Sequence, residues 1–218
     1  MARLGVEQFG PVNIDFMKII LASNNAGKLA ELYAMLAPLG LELLAQGALG
    51  IPEAAEPFHT FVENALAKAR HAAQHSGLPA LADDAGLCVD AFGGLPGVQT
   101  ADYACQFGYA KGDDNNVLAL LAQMQHIEQR GAALVSTLVA LRSAQDPEPL
   151  IAVGRAVGEI SRTPRGDKGF GFDPVMFIPR FGKTFAELPE ATKNAHSHRG
   201  QAARAMVALM RERWHSTV

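Results

Sequence analysis

Hydrophobic positions change period several times along the chain. Lys18 to Ala22 (KIILA) is a short β-prone run that stops at Ser23, Asn24 and Asn25, residues that favour turns and helix caps. Past Gly27, Leu29, Leu32, Leu36 and Leu39 recur at spacings of 3, 4 and 3, the period of one helix face, and Pro38 with Gly40 closes the segment. The pattern predicts a strand, a polar loop and a helix. Thr60-Phe61-Val62-Glu63 has the spacing of a capping box, and the Ala-rich stretch Asn64 to His75 follows it until Gly77 and Pro79. A second helix is predicted there.

Pro79 to Ala82 reads as a short buried strand entering an acidic loop, Asp83-Asp84-Ala85-Gly86, where the glycine turns the backbone. Residues 93–116 hold five glycines and a proline and are predicted to be mostly irregular, with a short helix over Val117 to Gln123. Ala132 to Leu141 and Leu150 to Ile160 are β-rich and separated by a Pro-containing turn, which predicts a hairpin and adds antiparallel pairing to an α/β chain. Phe172 to Ile178 resembles a further strand. Ala203, Met206, Val207, Met210 and Trp214 form a terminal helical stripe.

Composition narrows the function. Nineteen Lys+Arg against 22 Asp+Glu leave a net charge of −3, so no bulk positive field exists to hold nucleic acid, and any phosphate contact must be local. With 49% hydrophobic residues in 218, the chain can bury the core of a single domain, expected over 16–218 after a short, poorly ordered extension at 1–15. That extension lacks the apolar region of a secretory signal. Runs such as Ile19 to Ala22 fall far short of the roughly 20 apolar residues that span a bilayer, so no membrane partner is expected. Cys88 and Cys105 have neither a disulfide framework nor zinc-knuckle spacing around them, which fits a reducing cytoplasm.

Candidate chemistry gathers at four places. Ser23-Asn24-Asn25-Ala26-Gly27-Lys28 lies between strand and helix, where free backbone N–H groups, the helix dipole and a lysine favour an anion. It is not a Walker A loop, because Ala22 stands at the first glycine and Leu29 at the Ser/Thr. Asp83 and Asp84 suit a hard cation such as Mg²⁺, and on extended backbone only one of two adjacent carboxylates faces the ligand. Glu56, in the Pro-flanked loop before the second helix, could reach the same metal, whereas Glu63 is expected to cap that helix. Gly169-Phe170-Gly171-Phe172-Asp173-Pro174 places aromatics between glycines that would let a flat ligand approach, although core packing of the rings is the simpler reading. Lys193, Ser197, His198 and Arg199 supply donors before the last helix.

These fragments occur in one order. SNNAGK, TFVENALAKAR, ADDAGLCVDAFGGLPGV, GFGFDPVMF, TFAEL and K-x-x-x-SHRGQA together resemble the inosine-triphosphate pyrophosphatase family, the Ham1-like phosphohydrolases of non-canonical purine nucleotides, from Lys18 to the final helix. The resemblance implies an α/β fold with an elongated mixed sheet flanked by helices, two lobes, a nucleotide cleft between them and a homodimer. It implies Mg²⁺-dependent cleavage of ITP, dITP and XTP to the monophosphate and pyrophosphate, cleansing the nucleotide pool. Carried over by position, Ser23, Asn24, Asn25, Ala26, Gly27 and Lys28 would hold the triphosphate. Glu56 and Asp84 would position Mg²⁺, with Asp84 as proton acceptor. Ala85, Phe170, Gly171, Phe172, Asp173, Lys193, His198 and Arg199 would complete the substrate pocket, with Arg199 and His198 reading the base.

Four positions depart from the family pattern. Ala85 replaces a serine, Ala55 a glutamate, Asp102 an arginine and Phe172 a tyrosine. The presumed metal carboxylates and Lys28 are kept. Two other readings are a Maf-type nucleotide pyrophosphatase, against which the SHR segment argues, and a noncatalytic nucleotide- or RNA-binding protein, which the negative net charge disfavours for RNA.

Overall fold

The computed structural model describes residues 17–214; the extension expected at 1–15 lies outside them. Strand β1 (Lys18–Leu21) leads through Ser23 to Asn25 into helix α1 (Ala26–Leu36), as the leucine spacing predicts, and Gly40 takes the left-handed conformation beyond it. Strand β2 (Glu42–Ala45) follows and pairs parallel to β1, an element the sequence reading did not contain. Only Leu43, Leu44 and Ala45 carry its apolar pattern, and they are half-buried, so no clear period marks it.

Helix α2 (Phe61–Ser76) begins at Thr60, whose Oγ1 accepts the Glu63 N–H and donates to its carboxylate at 2.6 Å, and it ends at Gly77. Strands β3 (Ala80–Val89), β4 (Gly131–Leu141) and β5 (Leu150–Ile160) are long and antiparallel. The predicted hairpin is therefore present. Short strands β6 (Met176–Ile178) and β7 (Lys183–Thr184) complete one open, mixed sheet of order β2-β1-β3-β4-β5-β6-β7. Helices α3 (Asp113–Gln123), α4 (Glu190–His196) and α5 (His198–Arg213) flank it.

Three expectations need correcting. Asp83 to Gly86 are not a loop but the middle of β3, because every one of them is held opposite β4, from Asp83 against Leu138 to Gly86 against Val135. Gly86 does not turn the chain; it lets the Gly97 carbonyl and the Thr100 hydroxyl come so close that a Cβ would lie 2.2 and 2.5 Å from them. Residues 97–107 form 3-10 helical turns and α3 starts at Asp113, since Asn116 ties the segment together by accepting the Ala104 N–H and donating to the Ala101 carbonyl. The strand expected over Phe172 to Ile178 is confined to its last three residues, because Phe172 to Val175 close a turn in which Val175 and Met176 donate to the Phe172 carbonyl.

The arrangement of apolar side chains produces the cleft. On one face of the sheet, Leu81, Leu138, Ala140 and Ala152 pack against Leu32 and Leu36 of α1 and Met206 and Met210 of α5. Farther along the same face, Leu87, Val89, Leu134 and Ala156 pack against Val117 and Leu120 of α3 and against Phe172 and Val175. Between these two cores the same strands carry Asp83, Ala85, Ser136 and Gly154. Two lobes thus share continuous strands with a polar band between them. The opposite face is covered by the small residues Ala65, Ala69, Ala72 and Ala73 of α2.

Candidate functional site

The turn between β1 and α1 is built by side chains that bond their own backbone. Asn25 caps α1 by accepting the Lys28 N–H at 3.0 Å, and the Ser23 hydroxyl accepts the Asn25 N–H at 3.2 Å. Asn24 donates to Glu53 at 3.1 Å, which fixes the turn to the loop that carries Glu56. Gly27 is covered by the Phe170 ring, 2.7 Å from where a Cβ would stand. Lys28 reaches the sheet, its ammonium 3.1 Å from Asp83.

Asp83 starts a buried chain of alternating charge. Arg199 donates to it through Nε at 3.2 Å and Nη2 at 2.9 Å, and through Nη1 to Glu31 at 2.5 Å. Glu31 in turn lies 2.8 Å from Lys193, which also contacts Asp173 at 2.5 Å. Lys28, Asp83, Arg199, Glu31, Lys193 and Asp173 are three cations and three anions, so the network is neutral while joining α1, β3, α4, α5 and the 169–173 turn. Burial alone would raise the Asp83 carboxyl, but the charges of Arg199 and Lys28 and the Ser136 hydroxyl hold it far below the usual range. The same carboxylates raise Lys193 and Arg199 against the burial that would lower them. His198 is lowered well below its ordinary value, first by burial and then by Arg199, so its imidazole is neutral at pH 7.

Asp84 leaves β3 on the α2 side. Its Oδ1 is 2.9 Å from the Lys68 ammonium, which also lies 2.7 Å from Glu56. Burial pushes Asp84 up to about 6 despite Lys68, whereas in Glu56 the pull of Lys68 outweighs burial and lowers the carboxyl. Asp84 Oδ2 is buried and has no hydrogen-bond partner among the described residues. An orphaned carboxylate oxygen beside a second carboxylate is a hard donor set, and Mg²⁺ characteristically takes one or two carboxylates together with substrate phosphates. The residues therefore fit Mg²⁺ as a shared guest of protein and substrate. They do not form a self-sufficient cage: no group of three or more His, Cys, Asp or Glu among the described residues is arranged to hold a metal.

One pocket opens in the polar band. It brings together Asn25, Lys28, Ala85, Phe170, Gly171, Phe172, Asp173, Lys193, His198 and Arg199 of the expected substrate residues. Ser23, Asn24, Ala26, Gly27, Glu56 and Asp84 are not in its wall. The two groups meet on β3, where Asp84 stands between Asp83, bonded by Lys28 of the pocket wall, and Ala85 of the same wall. Phe172 is buried in the second core at 3% exposure, while Phe170 lies within 4.8 Å of the Lys193 ammonium and 5.7 Å of the Arg199 guanidinium carbon. The close approach expected at Gly169 is made by Asp173, whose Oδ2 lies 2.0 Å from a Cβ built there.

The sequence reading missed Glu31, Lys68, Thr100, Asp113 and Asn116. Glu31 had one usable signal, its position three residues after Lys28, which puts the two side chains next to each other on α1. Lys68 sits one residue before the inward Ala69 and reads from sequence as solvated.

A polar cleft between two cores, an anion-favouring strand-to-helix turn and a carboxylate pair joined through one lysine define an α/β protein built around a charged cleft. The chain belongs to the Ham1 family, whose sequence model matches residues 19–209. It is 79% identical over 198 residues to a dITP/XTP pyrophosphatase of Albidiferax ferrireducens, covering 91% of this chain and all of that protein. A dITP/XTP pyrophosphatase of Leptothrix cholodnii is 56% identical over 210 residues, covering 91% of this chain and 99% of that one. Among solved structures, a HAM1 protein from Coxiella burnetii superposes with a TM-score of 0.83 at 40% identity, covering 90% of this chain and 99% of that chain.

Proposed function

We propose that this protein hydrolyses the non-canonical purine nucleoside triphosphates dITP, ITP and XTP to the monophosphate and pyrophosphate, with Mg²⁺. The observation that carries the reading is the place of Asp84 on β3, between Asp83, which the pocket residue Lys28 bonds, and Ala85 of the pocket wall, with Glu56 joined to it through Lys68. Relatives 56–79% identical bear the name dITP/XTP pyrophosphatase and are matched over almost their whole length.

In this reading the backbone N–H groups at the start of α1 and the Lys28 ammonium receive the triphosphate. Asp84 accepts a proton from the attacking water as the new oxygen–phosphorus bond forms and pyrophosphate leaves. Burial pushes this carboxyl up to about 6 in the metal-free site, and a bound Mg²⁺, which would pull it back down, would share the task by activating the water. Mg²⁺, held by Asp84 and Glu56 together with the phosphates, would neutralise charge that develops on the phosphate oxygens. Lys193, His198 and Arg199, with the Phe170 ring, hold the base end. The catalytic contribution of the chain is mainly positioning and charge neutralisation.

The homodimer has support in β5, where Ile151, Val153 and Val157 stay 45%, 58% and 66% exposed on the face that α2 leaves uncovered. The free cysteines Cys88 and Cys105 agree with a cytoplasmic location, and no helix among the described residues is long and apolar enough to cross a membrane. A panel of ITP, dITP, XTP and the four common triphosphates with Mg²⁺, read for products, tests the proposal. Release of orthophosphate and diphosphate in place of monophosphate and pyrophosphate rejects the bond assignment.

A further inference from the structure

The turn 169–173 forms one wall of the pocket yet has no helix or strand of its own, and Gly169 and Gly171 both sit at positive φ. Besides its own backbone bond from the Asp173 N–H to the Phe170 carbonyl, two side-chain carboxylates hold it. One is internal to the expected site: Asp173 accepts the Phe170 N–H at 2.9 Å. The other comes from across the pocket, where Asp113 Oδ2 accepts the Gly171 N–H at 2.7 Å. Asp113 lies in the first turn of α3, where the helix dipole stabilises a carboxylate, and it also lines the pocket. The far end of this tie is rigid. Asn116, one turn along α3, is buried and bonded to the 97–107 segment at two points, and Val117 and Leu120 are in the core.

We propose that Asp113 is a positioning residue for substrate: by clasping the Gly171 N–H it holds the Phe170 ring over Gly27 and sets the shape of the base end of the pocket, taking no part in bond cleavage. The proposal rests on the reading of the pocket as a nucleoside triphosphate site. An aspartate 58 residues from its partner, in a stretch read as irregular, gives no sequence signal for such a role.

Steady-state kinetics with dITP test it. Asp113→Ala should raise KM about tenfold, the scale of one lost hydrogen bond to a charged group, with kcat within about twofold of wild type. Asp113→Asn should restore KM, because its amide oxygen can accept the same N–H; a merely structural defect would not be rescued and would not separate KM from kcat. Asp113→Glu is the second variant. It keeps the charge in the first turn of α3 but places it one methylene too far out, so KM should again rise. An unchanged KM in Asp113→Ala and Asp113→Glu, a loss confined to kcat, or failure of Asp113→Asn to rescue overturns the clasp alone. A wild type that hydrolyses none of dITP, ITP and XTP overturns the underlying reading and the clasp with it.

Discussion

Asp83 and Asp84 leave one strand on opposite faces, and their surroundings are opposite as well. Asp83 is saturated by Arg199, Lys28 and Ser136, whereas Asp84 keeps a buried oxygen without a partner among the described residues. The alternation of a β-strand is the whole cause, because successive side chains of extended backbone point to opposite sides. One carboxylate is thereby committed to joining α1, β3 and α5, and its neighbour is the one that the proposed function assigns to the chemistry.

Asp84→Asn should therefore fold and lose at least about a hundredfold in kcat, the low end for a lost acid/base group. Asp83→Asn should fail differently, destabilising the fold by about 3–5 kcal/mol because Arg199 and Lys28 are left buried with a neutral partner. Urea unfolding and turnover of both variants check this. A folded Asp84→Asn with near-normal kcat rejects its assignment as the base.

Metal removal should be complete in its effect. In the proposed reading Asp84 and Glu56 are the two carboxylates offered among the described residues, so the cation would be held jointly with substrate, and EDTA should abolish turnover and added Mg²⁺ restore it. Glu56→Gln should raise the Mg²⁺ concentration needed for half-maximal rate by at least about tenfold, the low end of what is lost when a supporting group of a metal site is removed. Turnover that survives EDTA in metal-free buffer is the contrary result.

Much of this was legible before the structure. The leucine spacing marked α1, Thr60 and Glu63 marked the start of α2, and the β-rich runs around Ser143 to Pro149 marked the hairpin, because each is a local pattern. What was not legible is non-local. Asp83 to Gly86 look like a turn, since two acids and a glycine have low strand propensity, yet pairing with β4 and burial override that preference. Glu31 and Asp113 act on partners 168 and 58 residues away, and no spacing rule connects such positions.

Gly86→Ala gives a test of the strand assignment. A Cβ there would meet the Gly97 carbonyl oxygen, which is backbone and cannot rotate away, so the 97–107 segment must shift. Overpacking of this kind costs about 1–3 kcal/mol. A lowered melting temperature together with a raised KM for dITP is expected, since Gly86 and Thr100 both line the pocket. Wild-type stability in Gly86→Ala would contradict the tight packing of this segment on β3.

The base end supplies the remaining prediction. Hypoxanthine and xanthine present an acceptor oxygen at position 6, where adenine presents an amino donor. Arg199 spends three of its N–H groups on Asp83 and Glu31, which fixes the guanidinium in place and leaves two. His198 is neutral, buried and in the pocket wall, and its Nδ1 has no partner among the described residues. The Arg199 donors held this firmly, with His198 beside them in the tautomer that donates to the base, should favour a 6-oxo base, because adenine would leave them unpaired, and such mismatches can reach roughly 10⁴-fold. Arg199→Ala would leave Asp83 and Glu31 with only Lys28 and Lys193 to balance them, so Arg199→Lys, which keeps the charge and loses the planar fork, separates recognition from folding better. The ratio of kcat/KM for ITP to that for ATP should fall at least about tenfold in both His198→Ala and Arg199→Lys. If the ratio holds in both while all triphosphates weaken together, these residues serve the phosphates and the base is read elsewhere.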